Sequence, residues 1–519
     1  MSEGARFRAG ALSAALDGGE LVDVRWGGLE VASRILVTVR DPGWGTVPSL
    51  VRSRVVEEHE EGFAVELDAV HEAGPIAFAW RGRIDADARG VLRFGFDGVA
   101  ERDFDYCRIG VCVLHPTRTY VGATYRAAGA GPGAGGIFPD RIAPQPFRDG
   151  HYRPMIDAFT SLDVALGGGV RLAFGFEGER FELEDQRNWT DASFKTYPTP
   201  LASSAPRGIR AGVRVTQRVT LRLSGPPPPA TVAPDVTDVR IGGPSGIRMP
   251  PIGLTAPGDR PLRPAHLRVD VDATQGWPGA LERTTDVPIE VALSVGDDLA
   301  GLEALAPVLA RTPIARVLVH RADGDTIDAR LVDVVRRRVG SVAPGVPFVG
   351  GTSSYFSELN RHPPARDGVD AVSFAISATV HATDERSIVE TLAIQGLVVG
   401  QARELAGGLP VVVSPISLHA HRGTPFADAW TVGSAAALAA AGAASLTFAE
   451  PATALARAID LEGEELLEVD VTPPDRIAVL ATTAAVVLAN LTGAGQPFRL
   501  RDGATDTLAP YEVRVASTG

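Results

Sequence analysis

The chain has 519 residues, a length that predicts two or three domains, each large enough for its own hydrophobic core. Its hydrophobic content of 45% and charged content of 22% are typical of a globular protein that folds in water. The formal net charge of −13 argues against nucleic-acid binding, because that function needs a basic face.

Residues 1–228 are predicted to form an N-terminal antiparallel β-sandwich of the large, supersandwich type. Short runs of alternating apolar and polar residues are separated by Gly, Pro and Asp, and no stretch has convincing helical periodicity. Examples are Leu21–Trp26, Ile76–Ile84 and Val213–Leu223. The proline run Pro226–Ala230 is the clearest linker in the chain and marks the end of this domain.

The chain contains two cysteines, Cys107 and Cys112, five positions apart in a predicted strand of this domain. Their side chains then face opposite sides of the strand and do not easily bridge, so a disulfide scaffold is excluded. The N-terminus also lacks the apolar core of a signal peptide, and the most apolar run, 433–448, is broken by Ser and Gly. We therefore expect a soluble cytoplasmic protein without a membrane span.

Residues 229–460 are predicted to form a (β/α)₈ barrel, the TIM-barrel fold. From about residue 247, short β-branched runs alternate with Ala- and Arg-rich helical segments, which is typical of a parallel α/β domain. The predicted strands are Pro251–Leu254, His266–Asp272, Ile289–Val295, Val317–His320, Phe348–Thr352, Val372–Ile376, Val411–Ser414 and Ser445–Phe448. The predicted helices between them include Leu299–Arg311, Ile327–Val339, Ser387–Leu405 and Thr431–Ala441.

Residues 461–519 are predicted to form a small C-terminal β-sheet domain, because helical periodicity stops there. The predicted strands are Leu466–Val471, Ile477–Ala481, Val486–Leu491, Phe498–Leu500 and Tyr511–Val515. The whole chain is thus predicted to be a multidomain protein of α/β and β class.

In a barrel of this kind the active site lies at the carboxyl ends of the strands, so the residues just after each strand are the candidates. The candidates that follow the fifth to eighth strands include Glu358, Asn360, His381, His419, His421 and Glu450. Glu358, His381 and Glu450 are predicted to be catalytic, because carboxyl and imidazole groups transfer protons. Asn360 and His419 are predicted to contact the substrate.

These residues also have structural alternatives. Glu358 is able to pair with Arg361 in the helix that follows, and Asp384, close after His381, fits the N-cap of the next helix. His419 stands at a strand end, where a buried and hydrogen-bonded histidine is also common.

The spacing of reactive residues narrows the reaction class. No His-x-x-x-His or Cys/His spacing predicts a tight zinc site, so no metal and no cofactor are predicted, although ligands from separate strands stay open. Ser414 lacks the Gly-x-Ser-x-Gly elbow of many serine hydrolases.

Glu358 and Glu450 follow the fifth and eighth strands, a placement that is similar to that of the two carboxylates of barrel glycosidases. A separation of about 5 Å would suit a retaining enzyme and roughly 6.5–9.5 Å an inverting one.

The segment Phe181–Tyr197 is unusually polar for this chain. It contains Lys195, the single lysine of the sequence, and Asn188, one of three asparagines. The side chain of lysine carries a compact charge with a tunable pKa, whereas that of arginine is a flat fork. The presence of one lysine in a chain that otherwise uses arginine therefore indicates a specific role for Lys195. Asp185, Arg187, Asn188 and Lys195 are therefore predicted to contact the substrate. The alternative is a polar loop whose charges pair among themselves.

Five stretches together carry a resemblance to a known family. They are F-P-D-R-I-A-P-Q-P-F (Phe138–Phe147), E-D-Q-R-N-W-T-D-A-S-F-K-T-Y (Glu184–Tyr197), P-P-I-G-L (Pro250–Leu254), Y-F-S-E-L-N-R (Tyr355–Arg361) and V-H-A-T-D-E-R-S-I-V-E-T (Val380–Thr391). Their order resembles the D-apionate lactonase family. The resemblance implies a β domain, a barrel and a second β domain, and hydrolysis of D-apionolactone to D-apionate in the breakdown of apiose. The stretch Phe448–Ala454 is shorter than the family pattern, which leaves room for another lactone.

The implied reaction is acyl transfer to water, which needs a base, a donor to the developing oxyanion and an acid for the leaving hydroxyl. Glu358 or His381 is predicted to be the base, and Glu450 or the other member of that pair the acid. Lys195 or Arg187 is predicted to contact the oxyanion or a sugar hydroxyl, which requires the segment Glu184–Tyr197 to lie over the barrel mouth.

The predicted partner is a sugar lactone or sugar acid, with neither nucleic acid nor membrane, and the sequence is compatible with a homo-oligomer. Two other functions stay open. One is a glycoside hydrolase with paired carboxylates in the barrel, and the other is a carbohydrate-binding protein without catalytic activity.

Overall fold

The computed structural model describes residues 6–129, 134–203, 206–230, 234–255, 262–273, 286–296, 299, 301–322, 329–341, 344–500 and 503–516. The chain divides into two compact units. The first comprises Met1–Gln186 and Ala192–Val232, and the second comprises Arg187–Asp191 and Ala233–Gly519. The short segment Arg187–Asp191 therefore belongs to the second unit, although the residues on either side of it belong to the first. The domain limits 1–228, 229–460 and 461–519 stay predictions.

The first unit is built mainly from strands. They are β1 (Arg6–Ala9), β2 (Leu12–Asp17), β3 (Glu20–Trp26), β4 (Leu29–Arg40), β5 (Thr46–Val47), β6 (Ser49–His59), β7 (Gly62–Ala73), β8 (Ile76–Asp87), β9 (Val91–Ala100), β10 (Phe104–Tyr106), β11 (Arg108–Pro116), β12 (Thr124–Ala128), β13 (Gly135–Ile137), β14 (Phe147–Arg148), β15 (His151–Tyr152), β16 (Ile156–Phe159), β17 (Ser161–Ala165), β18 (Arg171–Glu177), β19 (Phe181–Asp185), β20 (Ser193–Pro198), β21 (Arg207–Ile209) and β22 (Arg214–Ser224). A short helix, α1 (Thr117–Tyr120), lies between β11 and β12.

Most of these strands form two antiparallel sheets of nine strands each. The first has the order β1-β2-β3-β4-β11-β20-β19-β16, with β5 on β4, and the second the order β13-β12-β17-β18-β22-β9-β8-β7-β6. Their apolar faces share one hydrophobic core, to which Ile35 and Val111 contribute from the first sheet and Phe94 and Leu221 from the second. This arrangement follows from the period-two alternation of the sequence, because alternate side chains of a strand point to one face. The predicted sheet-rich N-terminal domain is confirmed.

The second unit contains a closed barrel. A strand that precedes it, β23 (Thr237–Arg248), is followed by β24 (Ile252–Leu254), β25 (His266–Asp272), β26 (Ile289–Val295), β27 (Ile314–Arg321), β28 (Phe348–Tyr355), β29 (Ala371–Ser377), β30 (Val411–Ser417) and β31 (Ser445–Phe448). The strands β24 to β31 pair in parallel and in chain order, and β24 closes the ring by pairing with β31. The predicted eight-stranded barrel is confirmed, and β28 and β30 run past their predicted ends at Thr352 and Ser414.

Helices follow most of the barrel strands. They are α2 (Leu302–Leu309), α3 (Ala329–Val339), α4 (Phe356–Arg361), α5 (Glu385–Leu405), α6 (Pro425–Ala440) and α7 (Leu455–Ile459). The predicted N-cap is confirmed for α5, because the Asp384 side chain accepts a hydrogen bond from the Ser387 amide at 3.0 Å. Thr424 caps α6 in the same way, with Pro425 at the start of the helix. None of the helices in the described part of the chain is long and apolar enough to cross a membrane.

The C-terminal strands are β32 (Glu465–Thr472), β33 (Ile477–Ala481), β34 (Val486–Asn490), β35 (Gln496–Leu500), β36 (Thr505–Leu508) and β37 (Val513–Ala516). They form a three-stranded sheet, β33-β34-β37, and a four-stranded sheet, β32-β23-β35-β36. The strand β23 precedes the barrel in the sequence, yet it pairs with strands that follow the barrel. The predicted C-terminal strands are therefore present, and β23 joins them as a member that the sequence did not reveal.

A polar cluster is buried inside the barrel around Glu290 of β26, whose side chain is fully buried. Ser414 donates a hydrogen bond to Glu290 Oε1, and Thr447 donates to the same oxygen at 3.1 Å. His266 Nε2 and Arg316 Nε each lie 3.4 Å from Glu290 Oε2. Burial lowers the pKa of His266 to about 4, so the imidazole is neutral at pH 7. Charge and hydrogen bonds thus offset the cost of burying the carboxylate.

The contact between Gly253 of β24 and His266 generates a prediction about stability. A Cβ atom at Gly253 would lie 2.1 Å from His266 Nε2, and this ring is buried and lies 2.8 Å from Thr447 Oγ1. We expect Gly253→Ala to lower the free energy of unfolding by about 1–3 kcal/mol, the usual cost of overpacking. Urea unfolding followed by circular dichroism measures this change.

The matched control is Gly400→Ala in α5. Among the described residues, no atom outside its own helix lies within 4 Å of a Cβ at this position. Replacing glycine by alanine in a helix normally stabilises by up to about 1 kcal/mol. Equal unfolding midpoints for Gly253→Ala and the wild type would show that the barrel has room at this position.

Candidate functional site

The predicted site residues of the barrel lie after the carboxyl ends of its strands. The helix α4 follows β28 directly, the loop with His381 follows β29, and the short 3₁₀ helix His419–His421 follows β30. Glu450 comes two residues after the end of β31. The segment Arg187–Asp191 belongs to the same unit as these strands and contributes side chains to the same region.

His381 and Asp191 form a hydrogen-bonded pair. The distance from His381 Nδ1 to Asp191 Oδ2 is 2.7 Å, and both side chains keep a little solvent exposure, 20% and 17%. With Nδ1 protonated towards the carboxylate, the lone pair of the imidazole lies on Nε2. The Trp189 ring packs edge-on against the imidazole, with centroids 5.6 Å apart. An oriented histidine of this kind is able to act as a general base.

Asn188 and Asn360, both predicted to contact the substrate, bind each other. Asn360 Nδ2 donates to Asn188 Oδ1 at 2.9 Å, and Gln401 Nε2 of α5 donates to Asn360 Oδ1 at 3.2 Å. Thr190 Oγ1 donates to the backbone oxygen of Ser377, at the end of β29, at 3.3 Å. These buried bonds hold the segment Arg187–Asp191 in position. Direct substrate contact by the two asparagines stays a prediction.

Glu358 lies in the first turn of α4 and forms an ion pair with Arg361 of the same helix. The structural alternative for Glu358 is thus realised, and its catalytic role stays a prediction. The Arg361 guanidinium lies 5.5 Å from the centre of the Trp189 ring, within the range of a cation–π contact. Because Trp189 also contacts His381, the Glu358–Arg361 pair and the His381–Asp191 pair share one aromatic neighbour.

Glu450 interacts with the loop that follows β30. Its Oε2 accepts a hydrogen bond from the Leu418 amide at 3.1 Å, and its Oε1 lies 3.4 Å from His419 Nδ1. His419 is 71% exposed, so this contact is well solvated. Glu450, which is predicted to be catalytic, and His419, which is predicted to contact the substrate, are therefore neighbours.

The remaining predicted contacts are divided between the two units. Arg187 belongs to the second unit and is 1% exposed. Asp185 and Lys195 belong to the first unit, where Asp185 Oδ2 accepts a hydrogen bond from the Ala143 amide at 2.9 Å. Lys195 Nζ lies 3.8 Å from Glu184 Oε1, and burial lowers the pKa of the ammonium. The segment predicted to lie over the barrel mouth is thus split, since only 187–191 belong to the barrel unit.

Asp191 is the residue that the sequence reasoning did not select. It lies in the polar segment, three positions after Asn188, but its partner His381 is 190 positions away. The polar composition of Phe181–Tyr197 predicts that the segment contributes to the site, but it does not identify the pair of Asp191 and His381. Within the described ranges, no group of three or more His, Cys, Asp or Glu side chains is arranged to hold a metal ion.

Solved structures of low similarity include three proteins named for carbohydrate chemistry. A putative aldose 1-epimerase from Escherichia coli K12 is 11% identical with a TM-score of 0.29, over 42% of this chain and 98% of that one. A family 44 endoglucanase from Clostridium thermocellum is 9% identical with a TM-score of 0.35, over 54% and 97%. An α-N-acetylgalactosaminidase from Bifidobacterium bifidum is 11% identical with a TM-score of 0.26, over 80% and 78%. Similarities at this level carry no functional information.

Sequence comparison is more specific. A curated D-apionate lactonase from Brucella anthropi is 27% identical over 451 residues, which are 79% of this chain and 72% of the relative. The family model for the D-apionate lactonase N-terminal domain matches residues 1–226, and the model for the TIM-barrel domain of the same family matches residues 259–425. These matches support a lactone-hydrolysing role, and the chain belongs to the D-apionate lactonase family.

Proposed function

We propose that this protein hydrolyses D-apionolactone to D-apionate in the breakdown of apiose, as a carboxylic-ester hydrolase without a cofactor. The single observation that carries the proposal furthest is the hydrogen-bonded pair of His381 and Asp191 after the barrel strand β29, because hydrolysis of a lactone needs an oriented base. The name of the Brucella anthropi relative supports this choice of substrate.

In the proposed mechanism, His381 Nε2 removes a proton from water as the water oxygen attacks the lactone carbonyl carbon. Asp191 holds the imidazole in the required tautomer and stabilises the imidazolium that forms. Collapse of the tetrahedral intermediate breaks the ring C–O bond, and the leaving alkoxide takes a proton from the imidazolium or from Glu450. Arg187, in the same segment as Asp191, is the proposed donor to the oxyanion, and a substrate contact by Lys195 stays a prediction.

Two roles are proposed for Glu358 in this mechanism. It is a second candidate for the base, and its ion pair with Arg361 also supports a role in holding the α4 side of the site. Asn188 and Asn360 hold the segment that carries Asp191, so their contribution is the position of the carboxylate. His419 lies beside Glu450 and is a further proposed contact to the sugar.

The proposal is tested by following acid release in a pH-stat with D-apionolactone, in parallel with aryl glycosides. We expect lactone turnover without release of the aryl group. Aryl release without lactone turnover would favour the glycoside hydrolase. If neither substrate reacts and sugar acids raise Tm, the protein is a carbohydrate-binding protein.

The His381–Asp191 pair generates a prediction about activity. We expect His381→Ala to lower kcat/KM by at least about 100-fold, the usual contribution of a general base. Asp191→Asn is expected to lower kcat more than it raises KM, because an amide presents a donor to Nδ1 and favours the wrong tautomer. Steady-state kinetics across pH measure both effects.

His59→Ala is the matched control, because His59 is an exposed histidine of β6 in the first unit. It is expected to retain wild-type kinetics, because β6 contributes no residue to the catalytic site. An Asp191→Asn enzyme with unchanged kcat would mean that the carboxylate does not orient the base.

Glu358 generates a separate prediction. We expect Glu358→Gln to lower kcat/KM by at least about tenfold, because the change removes both a carboxylate of the site and the ion pair with Arg361. Glu303→Gln is the control, since Glu303 is an exposed glutamate in the first turn of α2. Losses of less than tenfold for both Glu358→Gln and His381→Ala would refute the assignment of the site.

A further inference from the structure

The strand β6 forms an exposed edge of the second nine-stranded sheet. Among the described residues it pairs with β7 alone, at the end of the strand order. Ten of its eleven residues are exposed, and Val51 is half-buried. Leu50, Val55 and Val56 keep 66%, 55% and 37% of their surface exposed. A long edge of this kind offers backbone N–H and C=O groups, beside apolar side chains, to another strand.

The charged side chains of β6 are separated by sign along the strand. Arg52 and Arg54 lie in its first half, whereas Glu57 and Glu58 lie in its second half. Within the described part of the chain, none of these four side chains has an ion-pair or hydrogen-bond partner. The strand therefore carries a positive and a negative half, and no ion pair to another described residue neutralises either half.

The neighbouring strands of the same sheet pair their charges with each other. Glu66 of β7 binds Arg83 of β8 at 2.6 Å, and Asp68 of β7 lies 3.7 Å from Arg81 of β8. Two of the three acidic side chains of β7 are thus paired with β8, and the third, Glu72, pairs with Arg102. What β6 lacks is an oppositely charged strand on its outer side.

We propose that β6 pairs in antiparallel fashion with β6 of a second copy of this chain, with Val55 of both copies on the two-fold axis. Arg54 then lies diagonally across from Glu58 of the partner subunit, and Arg52, the extra residue of a bulge between Val51 and Ser53, adds positive charge to the same half of the strand. The contact occurs twice, because a two-fold interface repeats each pair. Cross-strand pairs of opposite charge stabilise a sheet, and the two facing Val55 side chains pack at its centre.

The separation of charge selects this partner and this register. Edge charges of a single sign repel an identical strand and so prevent association. In β6 the two signs occupy opposite ends, so an antiparallel copy is attracted and a parallel copy is repelled. A two-fold axis at Arg54 would place the arginines of both copies against each other, which disfavours that register. The proposal is independent of the catalytic site, because no residue of β6 is assigned to that site.

The test is sedimentation velocity of the full chain at low and high salt. We expect the wild type to be a dimer that dissociates as salt rises, because exposed ion pairs are screened. The double variants Arg52→Glu/Arg54→Glu and Glu57→Arg/Glu58→Arg carry a single sign and are each expected to weaken self-association by at least about 100-fold. An equimolar mixture of the two is expected to form a heterodimer. The quadruple variant, with both halves exchanged, is expected to dimerise again.

The control is Arg171→Glu/Arg222→Glu, which reverses two exposed arginines elsewhere on the same sheet. It is expected to have the mass of the wild type. A monomeric wild type, double variants that remain dimeric, a mixture that fails to assemble or a quadruple variant that stays monomeric would each overturn the proposal. Because the exchanged side chains are exposed in the single chain, the circular dichroism spectrum is expected to be unchanged in all variants.

Discussion

Closure of the barrel through β24 is the constraint on which the second unit depends. This strand has three residues, and it pairs with β25 on one side and with β31 on the other. Since all the barrel strands are parallel, closure gathers their carboxyl ends on one face. The segments that carry Glu358, His381, His419 and Glu450 therefore follow the strands on the same face of the barrel. Their proximity comes from the ring of backbone hydrogen bonds and does not depend on contacts between the side chains themselves.

The second constraint is the cost of leaving amide groups without partners inside the protein. Asn188, Asn360 and Gln401 satisfy this requirement with one another, and Thr190 bonds to the backbone of β29. These bonds join the segment Arg187–Asp191 to α4 and β29, and α4 to α5. A buried network of this kind has few alternative arrangements, because breaking one bond leaves a buried polar group unsatisfied. It therefore gives the carboxylate of Asp191 a defined position.

The elements that sequence reasoning recovered are those with a local signal. Barrel strands such as β26 and β29 are buried on both faces, and buried parallel strands have continuous apolar sequences. Placing Glu358 and His381 near a site needed only the rule that strand ends converge. The start of α6 was missed by six residues, because Pro425 occupies the first helical position, where its missing N–H costs nothing.

The features that the sequence could not reveal depend on distant residues. The pairing of β23 with β32 and β35 joins strands on either side of the barrel sequence. The contact between Asp191 and His381 requires knowing that five residues between two strands of the first unit belong to the other unit. Periodicity and composition describe a window of neighbouring residues, so neither contains this information.

The membership of Arg187–Asp191 in the barrel unit has a consequence for how this architecture is inherited. Asp191 lies in the stretch matched by the family's N-terminal domain model, whereas His381 lies in the stretch matched by its barrel model. Recombination at the proline-rich linker would produce a protein that contains either Asp191 or His381 from this chain, without the other. The two stretches are thus expected to be inherited together, although family models describe them as separate domains.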